Sequence, residues 1–96
     1  MNQTLRRVKA PKCFSLESYK YYFPENQISN VWATLEKCYG PVRRDENFSV
    51  KEIQASAFIF RALFEGNPIT VIYKRRCQDN DVRRLHELLG FDHGGV

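Results

Sequence analysis

The stretch Ala57-Phe58-Ile59-Phe60-Arg61-Ala62-Leu63-Phe64 decides how the chain is read, because a near-continuous apolar run suits a buried helix or a buried strand. As a strand it opens a hairpin, a state its aromatic residues favour. The residues before it argue for a helix. Ser49-Val50-Lys51-Glu52 matches a capping box, in which Ser49 accepts from the Glu52 amide and Glu52 reaches back to the amide of Ser49. Phe48 and Ile53 stand at the two positions of a hydrophobic staple, and Gly66 stands where a helix would stop. The reading adopted is therefore a central helix from about Val50 to Phe64, apolar almost all round in its second half and so the most buried of the fold.

Beyond Asn67-Pro68, the run Ile69-Thr70-Val71-Ile72-Tyr73-Lys74 is the clearest strand in the chain, β-branched at its first four positions. Asp79 or Asn80 then caps a last helix with Val82, Leu85, Leu88 and Leu89 on its apolar face, ending at Gly90. Phe91 is placed to fold back on that last turn, and residues 93 to 96 are expected to fray. Working upstream, Ile28, Val31, Trp32, Leu35, Cys38 and Tyr39 recur as one helical stripe closed by Gly40-Pro41. Phe14 to Phe23 fits both periods. Leu16, Tyr19 and Phe23 make a helix face, while Tyr19, Tyr21 and Phe23 alternate as in a strand, and the reading leans to a short helix capped by Ser15 and stopped before Pro24. Residues 4 to 10, basic and closed by Pro11, suit an edge strand or an arm spanning residues 1 to 12.

The expected architecture is α+β, a single compact domain over residues 1 to 96 with three to four helices packed on a small sheet of two or three strands. A lone strand at 69 to 74 cannot satisfy its backbone groups, so it needs a partner from residues 4 to 10, from residues 19 to 23, or from a second copy in a homodimer. The expected core joins Phe58, Ile59, Phe60 and Leu63 to Trp32, Leu35, Ile72 and Leu85.

Composition bounds the function. At 96 residues, 43% hydrophobic and 27% charged, the chain is sized for one folded core rather than for disorder or a fibre. It holds no apolar run near the roughly 18 residues that span a bilayer, and its start lacks the apolar segment of a signal peptide, so a cytoplasmic protein is expected. Cys13, Cys38 and Cys77, odd in number and far apart, point to a reducing compartment. The net charge of +4 comes from the N-terminal quarter. Eight of the nine arginines occur as adjacent pairs, at 6 and 7, 43 and 44, 75 and 76, and 83 and 84. Arginine's planar fork matches phosphate or carboxylate, which suits an anionic partner.

Motifs for catalysis are scarce. The sequence has no Gly-rich phosphate loop, His-Glu-x-x-His, Cys-x-x-Cys or Gly-x-Ser-x-Gly, and Cys77, His86 and His93 lack zinc spacing, so no metal or cofactor is expected. Cys77 follows Arg75-Arg76 and precedes a helix N-terminus, two features that stabilise a thiolate, but no base stands nearby and an inert thiol is the favoured reading. His86 is expected to be half-exposed. The run Tyr19-Lys20-Tyr21-Tyr22-Phe23 follows Arg6, Arg7, Lys9 and Lys12, and aromatic faces interleaved with cations suit stacking on bases.

These observations point to a small basic module without catalytic activity that contacts nucleic acid through Arg6, Arg7, Lys9, Lys12, Tyr19, Tyr21, Lys74, Arg75, Arg76 and Arg83. The alternative is a stand-alone inhibitor or adaptor acting on a nucleic-acid enzyme or another acidic protein surface, similar in size to small modulators made by mobile elements.

Overall fold

A computed structural model describes residues 6 to 13 and 15 to 90, which form a six-stranded antiparallel sheet with two α-helices on one face. The strands are β1 (Arg6–Cys13), β2 (Leu16–Tyr22), β3 (Arg43–Asp45), β4 (Val50–Gln54), β5 (Phe58–Leu63) and β6 (Ile69–Tyr73). The helices are α1 (Ile28–Tyr39) and α2 (Asp79–Leu89), with a 3-10 turn at Glu25–Gln27 leading into α1. The strand order is β1-β2-β6-β5-β4-β3. After the β1-β2 hairpin, α1 carries the chain to the far edge, and β3 to β6 return as a meander that ends beside β2.

This architecture replaces the expected three to four helices on two or three strands, and the decisive correction lies at residues 50 to 64. They form the β4-β5 hairpin. Burial alternates along β5, with Phe58, Phe60 and Ala62 inside and Arg61 and Leu63 outside, the period of a strand. The residues that spell a capping box do other work. Ser49 sits in the β3-β4 turn at φ 51, and the Glu52 carboxylate accepts from Arg61 Nε at 3.1 Å and Nη2 at 2.7 Å on the neighbouring strand. Phe48 is no staple, being 72% exposed. A helix apolar all round needs protein on every side, whereas a sheet with helices on one face needs apolar residues only at alternate positions, leaving Arg61 to water and Glu52.

Residues 16 to 22 are likewise β2 and not a short helix, so the alternation of Tyr19, Tyr21 and Phe23 is the operative period. Ser15, expected as a helix cap, turns the β1-β2 hairpin at φ 65. Phe14, the start of the 4 to 10 segment, Phe91 and the 93 to 96 tail lie outside the described residues. Residues 43 to 45 form the short edge strand β3, which the sequence did not suggest, while the two helices lie where they were expected. α1 buries Ile28, Trp32 and Leu35 and ends at Gly40, whose amide donates to Glu36 O at 3.1 Å. α2 begins at Asp79 and ends at Gly90 with φ 84, but its N-cap is Gln78 rather than Asp79 or Asn80, and Gln78 and Asp81 form the reciprocal bonds of a capping box. β1 is an edge strand beside β2, and β6 finds both partners within the chain, at residues 18 to 21 and 58 to 61.

Facing register partners point to the same side of a sheet, so Tyr21 with Ile69, Phe60 with Val71, and Ile53 with Phe60 build one inner face. Trp32, Leu35 and Leu85 cover it from the helices, forming a single buried cluster. Trp32 also donates through Nε1 to Gly66 O at 2.9 Å, and a Cβ on Gly66 would fall 2.8 Å from that nitrogen, so the approach requires glycine. Three expected core residues face the other way. Ile59, Leu63 and Ile72 lie on the sheet's outer face, where Leu63 is 54% exposed and Ile72, beside Ser18 and Ile59, is 3% exposed. Among the described residues no helix is long and apolar enough to cross a membrane.

Candidate anion-binding site

The register of the first two strands sets the site. Arg7 faces Tyr21 and Lys9 faces Tyr19, so these two of the cations on β1 fall on the face covered by the helices, at the edge of the sheet beside α2. Tyr73 ends β6 on the same face, opposite Phe58. His86 shares the inner stripe of α2 with Val82, Leu85 and Leu89, and is 5% exposed.

These side chains form a continuous hydrogen-bonded chain. Arg7 Nη1 donates to the Tyr73 hydroxyl at 3.2 Å, the Tyr73 and Tyr21 hydroxyls share a short hydrogen bond, and the Tyr21 hydroxyl lies 2.9 Å from His86 Nε2. The Arg7 guanidinium also lies over the Tyr19 ring, 4.6 Å from its centroid, and the Tyr19 and Tyr73 rings meet at 4.8 Å. Burial raises the pKa values of Tyr21, Tyr73 and Tyr19, so all three phenols keep their protons at neutral pH. Burial alone would lower the pKa of Arg7, but its hydrogen bonds to Tyr21 and Tyr73 carry the net shift upward.

The chain floors a cleft of ≈ 640 Å³. Its walls are the β1-β2 hairpin, the end of β6 with the turn after it, and α2. Among the described residues its charged lining is Arg7, Lys74, Arg75 and Arg83 against Glu17 and Asp79, four cations and two carboxylates. Glu17 is already engaged. It accepts from the Tyr19 hydroxyl at 3.0 Å and pairs with Lys9 at 3.5 Å, and these two contacts hold its carboxyl below the usual range. Lys74 Nζ donates to Ala55 O at 2.6 Å, while Arg75 and Arg83 are exposed at the rim. At the α2 N-terminus, Gln78 N donates to Asp81 Oδ2 at 2.9 Å, which places a carboxylate over that end of the helix.

Of the ten residues read from the sequence as a binding set, the cleft gathers Arg7, Tyr19, Lys74, Arg75 and Arg83, with Tyr21 wholly buried behind them. The others lie elsewhere. Arg6 points to the outer face, 4.4 Å from the centroid of the Tyr22 ring, Lys9 is paired to Glu17, and the exposed Lys12 and Arg76 do not line the cleft. β1 does not pair with β6, since β2 lies between them, but the long Arg7 side chain still reaches Tyr73. Tyr73 and His86 line the cleft although neither belongs to the binding set read from the sequence. For His86 the signal was present, because it falls at helical spacing with Val82, Leu85 and Leu89, which predicts burial rather than half-exposure.

Cys77 lines the cleft too, yet the thiolate that its position after Arg75-Arg76 suggested is not favoured. Burial and the carboxylates of Asp81 and Asp79 push its thiol up to about 11. Among the described residues no group of three His, Cys, Asp or Glu side chains is placed to hold a metal ion. No protein family, curated protein or solved structure matches the chain.

Proposed function

We propose that this chain is a small binding module, without catalytic activity of its own, that contacts nucleic acid through its phosphate groups at the Arg7, Arg75 and Arg83 cleft. The observation that carries this reading is the fixed placement of Arg7. Its guanidinium is pinned by the Tyr73 hydroxyl and laid on Tyr19 within a cleft of net positive charge, so little side-chain freedom remains to be lost when an anion arrives. The raised Cys77 pKa supports a binding role over a nucleophilic one.

The test is fluorescence anisotropy with labelled single-stranded and duplex oligonucleotides at low salt. Arg75→Glu combined with Arg83→Glu should weaken binding by at least about tenfold, equivalent to about 1.4 kcal/mol. A change under about twofold would sink the reading. One observation favours the second reading, a protein inhibitor or adaptor: Phe48 and Leu63 stand exposed toward the opposite edge of the sheet, the aromatic and aliphatic anchors of an interface. Capture of one protein from lysate that survives nuclease treatment and is lost in Phe48→Ala would favour it.

A further inference from the structure

Both α-helices pack on one face of the sheet, and the register lays the residues of the other face in rows that cross the strands. Val8 faces Lys20, Lys20 faces Thr70 and Thr70 faces Arg61, while Arg6 faces Tyr22 in the next row. Arg61 is engaged by Glu52, so it adds little to the field at this face. Toward β1 the charges are of one sign. Among the described residues, the outward rows of β1, β2 and β6 carry Arg6 and Lys20, both exposed, and no carboxylate.

The Arg6 guanidinium lies 4.4 Å from the centroid of the Tyr22 ring, a flat cation over a flat ring at an exposed corner of the sheet. A nucleic-acid base laid on that guanidinium extends the stack by one layer. Only an unpaired base can do so. In a duplex the base faces are covered by their neighbours, and a protein meets base edges in the grooves. The N-terminal turn that reads those edges in helix-turn-helix proteins holds no cation in α1 and carries Asp79 and Asp81 in α2, which repel phosphate.

β1 also joins this corner to the cleft. Arg6 and Arg7 are consecutive, and the alternation of a strand puts Arg7 over Tyr19 on the inner face and Arg6 over Tyr22 on the outer. The two arginines thus flank the edge strand of the sheet. A backbone that gives a phosphate to Arg7 can round that edge and lay its next base on Arg6. Resting on the nucleic-acid reading above, we propose that the partner is single-stranded, with one unpaired base stacked on the Arg6–Tyr22 pair and the adjoining backbone led over the outer face by Lys20.

The test measures anisotropy of three labelled probes of equal length at one low salt concentration: a single strand, an abasic strand and a duplex. The abasic strand keeps every phosphate, so the ratio of the first two affinities reports what the bases contribute. The single strand should bind at least about fivefold tighter than the abasic strand, the lower end expected of one stacked base, and tighter than the duplex. Tyr22→Leu with Arg6→Lys keeps bulk and charge but removes both planes, and should bring that ratio to about one; Tyr22→Phe should preserve it. Arg6→Lys alone, at an exposed position, should lower the ratio at least about twofold and serves if the double variant fails to fold, which circular dichroism reports. Lys20→Gln should weaken the single and abasic strands by a similar factor, and no change in either would overturn the path over the outer face. Equal binding of single and abasic strands, or a ratio that the Arg6 and Tyr22 variants leave unchanged, overturns this inference and leaves the nucleic-acid reading standing. A duplex that binds tighter than the single strand does the same. Binding of no probe overturns both. A dimer in sedimentation equilibrium that Tyr22→Leu dissociates gives this face to a second copy and overturns the inference as well.

Discussion

The cleft beside β1 and the hollow beside β3 are near-equal concavities toward opposite edges of one sheet, and their arginines are held in different ways. The first encloses ≈ 640 Å³ and the second ≈ 670 Å³. In the second, Arg43, Arg44 and Arg61 face Asp45, Glu46 and Glu52, three cations against three carboxylates, a net charge of zero. Arg61 is bonded to Glu52 through two nitrogens, and Arg44 lies over the Phe64 ring at 5.3 Å. In the first, Arg7 is held by phenols, which position a guanidinium without cancelling its charge. The count of arginines thus says little about a binding face. What separates the two regions is whether the partner that orders the arginine also neutralises it.

The comparison can be broken at its scaffold first. Phe60 is wholly buried on β5, between the strands that lead to the two regions. Phe60→Ala should cost about 3 to 5 kcal/mol in urea denaturation, and a loss below about 1 kcal/mol would show that the inner face is not the core. Tyr21→Phe comes next, because it removes the hydroxyl that bonds to both Tyr73 and His86. It should cost about 1 to 3 kcal/mol for the buried polar groups it leaves, and a neutral result would mean that the chain does not order the cleft.

A smaller effect sharpens the other side. Glu52→Gln should cost only about 0.2 to 1 kcal/mol, because the Glu52–Arg61 pair is partly exposed. Burial acts to raise the Glu52 pKa, but hydrogen bonds from Arg61 and Gln54 and nearby cations depress it overall. The pair's stabilisation is therefore fully present above the unfolded carboxyl value of about 4.3 and is lost as pH falls through the lower folded value. The same substitution gives the hollow a net +1, and oligonucleotide affinity should rise slightly; a fall would place that edge outside the account. The smallest effect concerns Cys77. Its alkylation should lag behind that of the exposed Cys38 at pH 8 and climb toward a pKa of about 11, whereas faster reaction than Cys38 at neutral pH would restore the nucleophile reading.

How much of this was legible depended on whether local signals agreed with tertiary context. α1 was readable because stripe, length and Gly40 all pointed to one helix, and β6 because branched residues ran without interruption. Residues 50 to 64 were not, since Ser49 and Glu52 spell a helix start while the pairing that commits them to a hairpin, Glu52 with Arg61, becomes visible only across strands. The site was half legible for the same reason. Arg7, Arg75 and Arg83 could be singled out as basic residues, but the sequence does not show that Tyr73 and His86 lie behind them, because those contacts bridge residues 65 to 66 positions apart.

The central claim is that the β1-side cleft, unlike the hollow beside β3, meets phosphate with an excess of cations. The salt dependence of single-strand binding tests it most directly, since each phosphate contact adds about 0.7 to the slope of log affinity against log salt. Arg75→Ala with Arg83→Ala should flatten that slope by about 1.4, and Arg43→Ala with Arg44→Ala should leave it unchanged. Equal flattening by the two double variants would contradict the account, because net charge alone would then govern binding.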